Sequence, residues 1–247
     1  MKETYSEFRK TQQDYAKKHN YGFGIIKNAT FESAIFIAYY LRNTFITANI
    51  ITTLNLLLWL ILPFLFLKGT ISLAIWSIVL MILTNYLDFI DGVFARVQGT
   101  QSRGGGYFDS FVHAVTLPII MTCFGYYSYL QSGHFYDIFT GLAIGLWYPY
   151  FFLFESMAVF VLVHNPKPIK YKMDNLSVKT KSNKSSPLNL IKRIISRIYG
   201  PPELFWVLLV VVLLGITHYY LLIFSIIAVL SVLYKFYNNY KHLRKIR

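Results

Sequence analysis

The stretch from residue 84 to residue 113, TNYLDFIDGVFARVQGTQSRGGGYFDSFVH, holds the residues whose types and spacing could do chemistry. Asp88 and Asp91 are three residues apart, and Asp109 and His113 are four residues apart. On helices, both spacings place the two side chains on one face. A short loop between the two helices would make them neighbours, so we expect the four side chains to converge.

Carboxylates that are brought together repel one another unless positive charge lies among them. Arg96 and Arg103 could supply part of that charge, but carboxylate oxygens are also the typical ligands of hard divalent cations. Such cations bind phosphates and neutralise charge during phosphoryl transfer. The pattern therefore predicts a site for Mg²⁺, Mn²⁺ or Ca²⁺, with the three aspartates and His113 as metal ligands.

A structural role is the simpler interpretation of a single aspartate near a helix end, which is usually a helix cap or a solvated charge. We adopt it for Asp137, where the fourth predicted membrane helix begins. It does not account for three aspartates and a histidine that converge. Neither DFIDG nor GTQSRGGG completes the pattern of a calcium loop or a P-loop.

The elements that must position these residues are long apolar runs. The chain has 247 residues, of which 55% are hydrophobic and only 14% are charged. A helix needs about 20 apolar residues to cross a bilayer. The sequence predicts an all-α polytopic membrane protein with six transmembrane helices: Ile50–Leu67, Ile71–Ala95, Phe108–Leu130, Ile138–Val163, Glu203–Thr217 and Tyr219–Phe236. A tight hairpin near Gly215–His218 would join the last two.

The net charge of +13 comes from basic residues that lie between the apolar runs, which disfavours a nucleic-acid partner. With six spans, all of the 24 Lys and Arg residues except Lys68 fall on one side of the membrane. The positive-inside rule makes that side cytoplasmic, so both termini and the motif are expected there. The Lys-, Asn- and Ile-rich composition suggests a bacterial inner membrane.

The remaining segments complete the predicted organisation. Residues 1–48 form a cytoplasmic N-terminal segment, in which residues 30–46 are an amphipathic interfacial helix before the first span. Residues 49–237 form the membrane domain, with the catalytic motif at 88–113 and a cytoplasmic loop at 164–201. Residues 238–247 form a basic C-terminal tail.

Charged residues outside the motif have two interpretations each. Glu155, in the fourth predicted span, either approaches an acceptor hydroxyl or hydrogen-bonds a neighbouring helix. Lys192, Arg193 and Arg197 lie at helical spacing in the loop, and they contact either lipid headgroups or a phosphate on an acceptor.

The motif resembles the signature of the CDP-alcohol phosphotransferase family, Asp-x2-Asp-Gly-x2-Ala-Arg-x8-Gly-x3-Asp-x3-Asp. Seven of its eight fixed positions match, namely Asp88, Asp91, Gly92, Ala95, Arg96, Gly105 and Asp109. His113 stands at the eighth position, where the family has an aspartate. TANIIT, residues 47–52, is similar to the family's Thr-Pro-Asn-x-x-Thr pattern at the start of the first helix, with Ala48 in place of proline.

This resemblance implies an enzyme of phospholipid biosynthesis. It would transfer a substituted phosphate from a CDP-alcohol, such as CDP-diacylglycerol, to an acceptor alcohol and release CMP. The three aspartates would hold one or two metal ions on the pyrophosphate, and Asp91, Asp109 and His113 would be catalytic. The nucleotide site would consist of Asn49, Thr52, Gly92, Ala95, Arg96 and Gly105. The apolar tails would lie in grooves open to membrane lipid, and many relatives are homodimers.

His113 leaves the function open. A neutral imidazole can accept the proton of the attacking hydroxyl, as the family's aspartate is thought to do. It can also be a metal ligand or a substrate contact, or it can mark a site that binds CDP-lipid without catalysis. The alternatives are therefore a hydrolase of the same fold, a non-catalytic CDP-lipid binder, and a transporter lined by the acidic cluster. The last is disfavoured because the aspartates lie at one membrane face.

Overall fold

Helices make up the regular structure of the described residues. The computed structural model describes residues 4–18, 25–42, 44, 46–100, 103–147, 149–150, 153 and 203–244. These contain α1 (Tyr5–Lys18), α2 (Ile25–Leu41), α3 (Ala48–Ile61), a 3₁₀ segment (Leu62–Lys68), α4 (Ile71–Val97), α5 (Arg103–Ser132), α6 (Tyr136–Gly145), α7 (Glu203–Leu213) and α8 (Thr217–Arg244). No strand occurs in these ranges, as expected of an all-α protein.

The chain divides into two compact units. The first comprises Met1–Leu62 and Trp76–Val112, and the second comprises Pro63–Ile75 and His113–Arg247. In the first unit, apolar side chains from α1 to α4 form one buried core: Phe8, Ala34, Ile35, Ala38, Ala48, Ile90, Val93 and Phe94. The N-terminal helix is thus packed into the same core as the helix that bears the motif.

α1 and α2 are also joined by polar contacts. Arg9 Nε donates to Glu32 Oε2 at 2.7 Å, and Gln13 Nε2 donates to the other oxygen of Glu32 at 2.5 Å. The hydrogen bond from Arg9 lowers the pKa of the Glu32 carboxyl, while partial burial acts in the opposite direction. These contacts hold α1 along α2, so α1 is more than an exposed leader.

The bounds of α2 differ from the expected helix over residues 30–46. α2 begins at Ile25 and ends at Leu41. It ends there because Thr44 donates both its backbone N–H and its hydroxyl to the Leu41 carbonyl, at 2.9 and 2.7 Å. These bonds close a turn before α3. The interfacial position of α2 remains a prediction.

α3 begins where its sequence supplies a cap. Thr47 has an extended backbone, and its side chain accepts a hydrogen bond from the Ile50 N–H, as expected of a threonine N-cap. At the other end, the 3₁₀ segment begins at Leu62 and has Pro63 in its first turn. Ser77 of α4 donates to the Leu62 carbonyl at 2.8 Å, which fixes the end of α3 against α4.

In the second unit, α5 and α6 pack closely through glycines. A Cβ on Gly125 would lie 2.5 Å from the Asp137 carbonyl oxygen, and one on Gly145 would lie 2.6 Å from the Pro118 Cα. Small residues at such crossings let helix backbones approach in membrane proteins. α8 packs against both α6 and α7.

Asp137 is neither solvated nor a simple cap, which corrects the interpretation from sequence. It is fully buried. Its carboxylate accepts from the hydroxyls of Ser128 and Ser132 at 2.7 and 2.8 Å, and His218 Nδ1 lies 2.8 Å from its other oxygen. The carboxylate joins α5, α6 and α8. Its burial is tolerated because the hydrogen bonds to these serine and histidine side chains replace those to water.

Within the described residues, four helical segments are long and apolar enough to cross a membrane: Ala48–Lys68, Ile71–Val97, Phe111–Ser132 and Thr217–Lys241. They coincide with four of the six predicted spans. α7, at 11 residues, is shorter than the predicted span over 203–217. It ends at Leu213, and Gly215 with φ +67° lies in the turn before α8, so the two helices are separated by a turn at the predicted point.

Other predictions fall partly or wholly outside the described residues. Half of the span predicted over 138–163 lies there, as do Glu155, the loop at 164–201 and its basic residues Lys192, Arg193 and Arg197. The six-span count and the cytoplasmic termini therefore remain predictions. The residues assigned to a C-terminal tail begin within α8, which continues to Arg244.

Candidate active site

The two aspartates at the start of the motif lie on consecutive turns of α4, and α3 holds both of them. Thr52 Oγ1 donates to Asp91 Oδ2 at 2.7 Å, and Asn55 Nδ2 donates to Asp88 Oδ1 at 3.4 Å. One oxygen of each carboxylate is thus fixed by a side chain from the neighbouring helix.

The two hydrogen bonds follow from the helical spacing. Thr52 and Asn55 are three residues apart on α3, and Asp88 and Asp91 are three residues apart on α4. Thr52, the first of its pair, contacts Asp91, the second of the other pair, and Asn55 contacts Asp88. This matching requires α3 and α4 to run antiparallel, with both polar faces turned toward each other.

Asn55 was not among the predicted site residues, although the sequence carried a signal. It is a lone amide in the apolar run LNLLLWL, one turn after Thr52. In the structure it is 2% exposed, and its Oδ1 is buried without a hydrogen-bond partner among the described residues. An unpaired buried amide oxygen is costly unless something binds it.

The donor set fits a hard divalent cation. Asp88, Asp91 and Asn55 all offer oxygen, which Mg²⁺ and Mn²⁺ prefer. Within the described side chains, no group of three His, Cys, Asp or Glu residues is arranged to hold a metal ion. Asp109 lies on α5, and its side chain is outside the described part. The predicted four-ligand site therefore remains a prediction.

Arg96 lies one turn beyond Gly92 and is held by α1. Its Nε donates to Gln12 Oε1 at 3.4 Å, and its guanidinium lies over the Tyr15 ring, 5.3 Å from the centroid. A Cβ on Gly92 would lie 3.8 Å from Arg96 Nη1 and would meet nothing else within 4 Å. The guanidinium thus borders the open face of the Asp91 turn.

The predicted nucleotide residues at the start of α3 lie beside the end of α4. Gln98 Oε1 accepts from the Ala48 N–H at 3.4 Å, and Gln98 Nε2 donates to the Ile46 carbonyl at 3.0 Å. Asn49 is exposed on the first turn of α3, and Ala95 is half-buried on α4. Gln98 and Gln12 were both missed from the sequence, because glutamines in polar segments carry no distinctive pattern.

The second half of the motif lies on α5. This helix begins at Arg103, five residues before the predicted span, and Gly105 is exposed in its first turn. Asp109 belongs to the same unit as Asp88 and Asp91, whereas His113 is the first residue of the second unit's part of α5 and is half-buried. The structure therefore brings together the first two aspartates with Thr52, Gly92 and Arg96.

A comparison with known families agrees with the motif. A family model described as CDP-alcohol phosphatidyltransferase matches residues 45–237. The chain belongs to the CDP-alcohol phosphatidyltransferase family. No curated protein and no solved structure matched the chain. Family membership confirms the resemblance that the motif indicated. Together with the four long apolar helices, it identifies an integral membrane protein of an enzyme family that acts on CDP-alcohols.

Proposed function

We propose that the protein transfers a substituted phosphate from a CDP-alcohol to an acceptor alcohol, releases CMP, and acts in phospholipid biosynthesis. The observation that carries the proposal is the pair of motif aspartates on α4, each fixed by a side chain of α3, in a chain of this family. CDP-diacylglycerol is the donor we favour, and the active site would face the cytoplasm.

The carboxylates are the basis of donor binding. Asp88 and Asp91, with Asp109 from α5, would hold Mg²⁺ or Mn²⁺, which supplies positive charge to the donor pyrophosphate. Thr52 and Asn55 orient the first two carboxylates, as residues behind metal ligands commonly do. Arg96 would add a fixed guanidinium charge for the phosphates. Gly92 and Ala95 would contact the nucleotide, with Asn49 nearby, and Gly105 would leave room beside the pyrophosphate.

The reaction requires a proton acceptor. The acceptor oxygen attacks the phosphorus that bears the donor alcohol, the bond from that phosphorus to the CMP oxygen breaks, and CMP leaves. His113 would take the hydroxyl proton, in place of the aspartate that the family has at this position. A carboxylate site with one negative charge fewer would favour a more anionic substrate.

The test measures CMP release by purified protein in detergent with CDP-diacylglycerol, Mg²⁺ or Mn²⁺, and pooled alcohols. We expect release that depends on metal and acceptor and that Asp91→Asn abolishes. His113→Ala should lower kcat by roughly 10²- to 10⁴-fold, the usual contribution of a general base. His113→Asp restores a carboxylate base and should keep more activity than His113→Ala.

Two other results would reject the proposal. Release of CMP without any acceptor would identify a hydrolase. Metal-dependent CDP binding without release for any donor and acceptor pair would identify a non-catalytic binder. Equal kcat for the wild-type protein and His113→Ala would reject only the base assignment.

A further inference from the structure

A cavity in the first unit lies between the N-terminal helix and the end of α4. Its volume is about 390 Å³, within the range of sites that hold small ligands. It is lined by Phe8, Thr11 and Gln12 of α1, by Arg42 after α2, and by Arg96, Val97 and Gln98 at the end of α4. This lining includes two arginines and no acidic residue.

Aromatic rings of the N-terminal segment orient both guanidiniums. The Arg42 guanidinium lies 4.3 Å from the Tyr39 ring centroid and 5.4 Å from that of Phe8. The Arg96 guanidinium lies over Tyr15. Stacking of this kind restricts a guanidinium to one plane while its N–H groups point outward at the edge.

Gln12 adds a second constraint. It is 8% exposed, and it accepts from the Nε of Arg96, the guanidinium nitrogen closest to the main chain. Gln98 is fixed on the other side by its bonds to Ala48 and Ile46. The cavity wall is therefore built from ordered polar groups that belong to three separate segments of the chain.

We infer that this cavity binds a phosphate group, with Arg42 and Arg96 as its charged contacts. A guanidinium matches phosphate oxygens with paired N–H donors, and such charge-assisted hydrogen bonds are stronger than neutral ones. Arg96 also borders the Asp91 turn through Gly92, so a phosphate here would lie beside the carboxylates without depending on them.

The cavity extends beyond the family domain. Arg42 and all of α1 precede residues 45–237, which match the family model. Among the lining residues, only Arg96 stands at a fixed position of the family signature, so the cavity combines a signature arginine with an N-terminal helix outside the match. The inference rests on the proposed function only if the phosphate belongs to a substrate. The alternative source is the phosphate of an anionic lipid headgroup.

Calorimetric titration of inorganic phosphate into the full chain in detergent tests the site. EDTA is present and donor is absent, so a failure of transfer chemistry does not affect the result. Sodium chloride of equal ionic strength serves as the reference titrant. We expect saturable binding that Arg42→Gln weakens at least roughly tenfold, the loss expected for one charge-assisted contact.

Lys10→Gln is the matched control, because Lys10 is an exposed α1 cation that does not line the cavity. It should change the affinity by less than about twofold, since exposed charges that are not in contact act weakly. If Arg42→Gln does not fold, phosphate affinity is measured in Arg42→Lys instead, because lysine keeps the positive charge but lacks the paired N–H donors of the planar guanidinium. Absence of saturable binding, or unchanged affinity in the Arg42 variants, would overturn the inference.

The source of the phosphate is decided in nanodiscs. Phosphate affinity is compared between nanodiscs of phosphatidylcholine alone and nanodiscs that also contain phosphatidic acid. Loss of phosphate binding in the second set identifies a lipid headgroup as the occupant. Equal affinity in both sets identifies a soluble phosphate compound, which would then be tested as an acceptor in the transfer assay.

Discussion

At the scale of single residues, the site depends on the partners of its carboxylates. Asp88 and Asp91 were identified from the sequence, but the orientation of their carboxylates comes from Asn55 and Thr52. A hydrogen bond to one carboxylate oxygen fixes the direction in which the other points. For this reason we expect the α3 side chains to govern metal and donor affinity.

Thr52→Ala should lower the affinity for the activating metal roughly ten- to a hundredfold, the usual cost of losing a group behind a metal ligand. Thr53→Ala is the matched control, because Thr53 is the next residue and is exposed. Mn²⁺ affinity is measured by titration with electron paramagnetic resonance detection. Equal losses in both variants would show that the Thr52–Asp91 hydrogen bond does not act on the metal site.

At the scale of elements, α1 is the helix whose role was least evident from the sequence. It was expected only to lie outside the membrane. In the structure, Phe8 enters the core of the first unit and Gln12 contacts the motif arginine. The contacts of Glu32 hold α1 on α2. Their loss should therefore also disturb the contact between Gln12 and Arg96, which are far apart in the sequence.

Glu32→Gln should loosen α1, which hydrogen–deuterium exchange of residues 5–18 would report as faster exchange. Arg9→Gln should act similarly. The double variant should exchange little faster than either single variant, because both substitutions remove the same Arg9–Glu32 interaction. Unchanged exchange in Glu32→Gln would exclude this contact as the one that docks α1.

The same contact predicts a pH dependence. The Glu32 pKa is lowered in the folded protein, so the contribution of the carboxylate is present at neutral pH and is lost as the pH falls through that lowered value. This range lies below the ordinary glutamate pKa of about 4.3. Exchange of α1, corrected for the intrinsic rate, should rise there in the wild-type protein and rise less in Glu32→Gln.

At the scale of the whole molecule, the exposed surface of the long helices is apolar. Only 22% of the most apolar window of α8 is buried, and side chains such as Ile223, Ile226 and Leu230 are more than half exposed. Such a surface is stable in lipid, where the helical backbone satisfies its own hydrogen bonds. Membership of the family adds that its substrates are a CDP-alcohol and an acceptor alcohol.

The predicted orientation in the membrane can be tested by labelling single engineered cysteines. The native Cys123 is buried, so its background labelling should be low. Thr100 and His134 are exposed, before and after α5. A membrane-impermeant maleimide added to intact cells should label His134→Cys and spare Thr100→Cys, and both should react after permeabilisation. The reverse pattern would invert the orientation and place the motif outside.

The sequence by itself determined the class of protein and the family that its motif indicates. Both depend on patterns within one segment: apolar runs long enough to span lipid, and acidic residues three and four apart. Helix bounds were close for Ile71–Val97, where the apolar run is continuous, and less close for α2, where a turn at Thr44 decides the end.

Only the tertiary structure decided which distant residues meet. Asn55 contacts Asp88 across 33 residues, His218 contacts Asp137 across 81, and Gln12 contacts Arg96 across 84. No local period encodes such pairs, because each depends on how separate helices pack and on which buried polar group then needs a partner. Helix packing is also why Asp137, which was interpreted from the sequence as a cap or a solvated charge, is buried. It likewise places α1 against the α4 part of the motif.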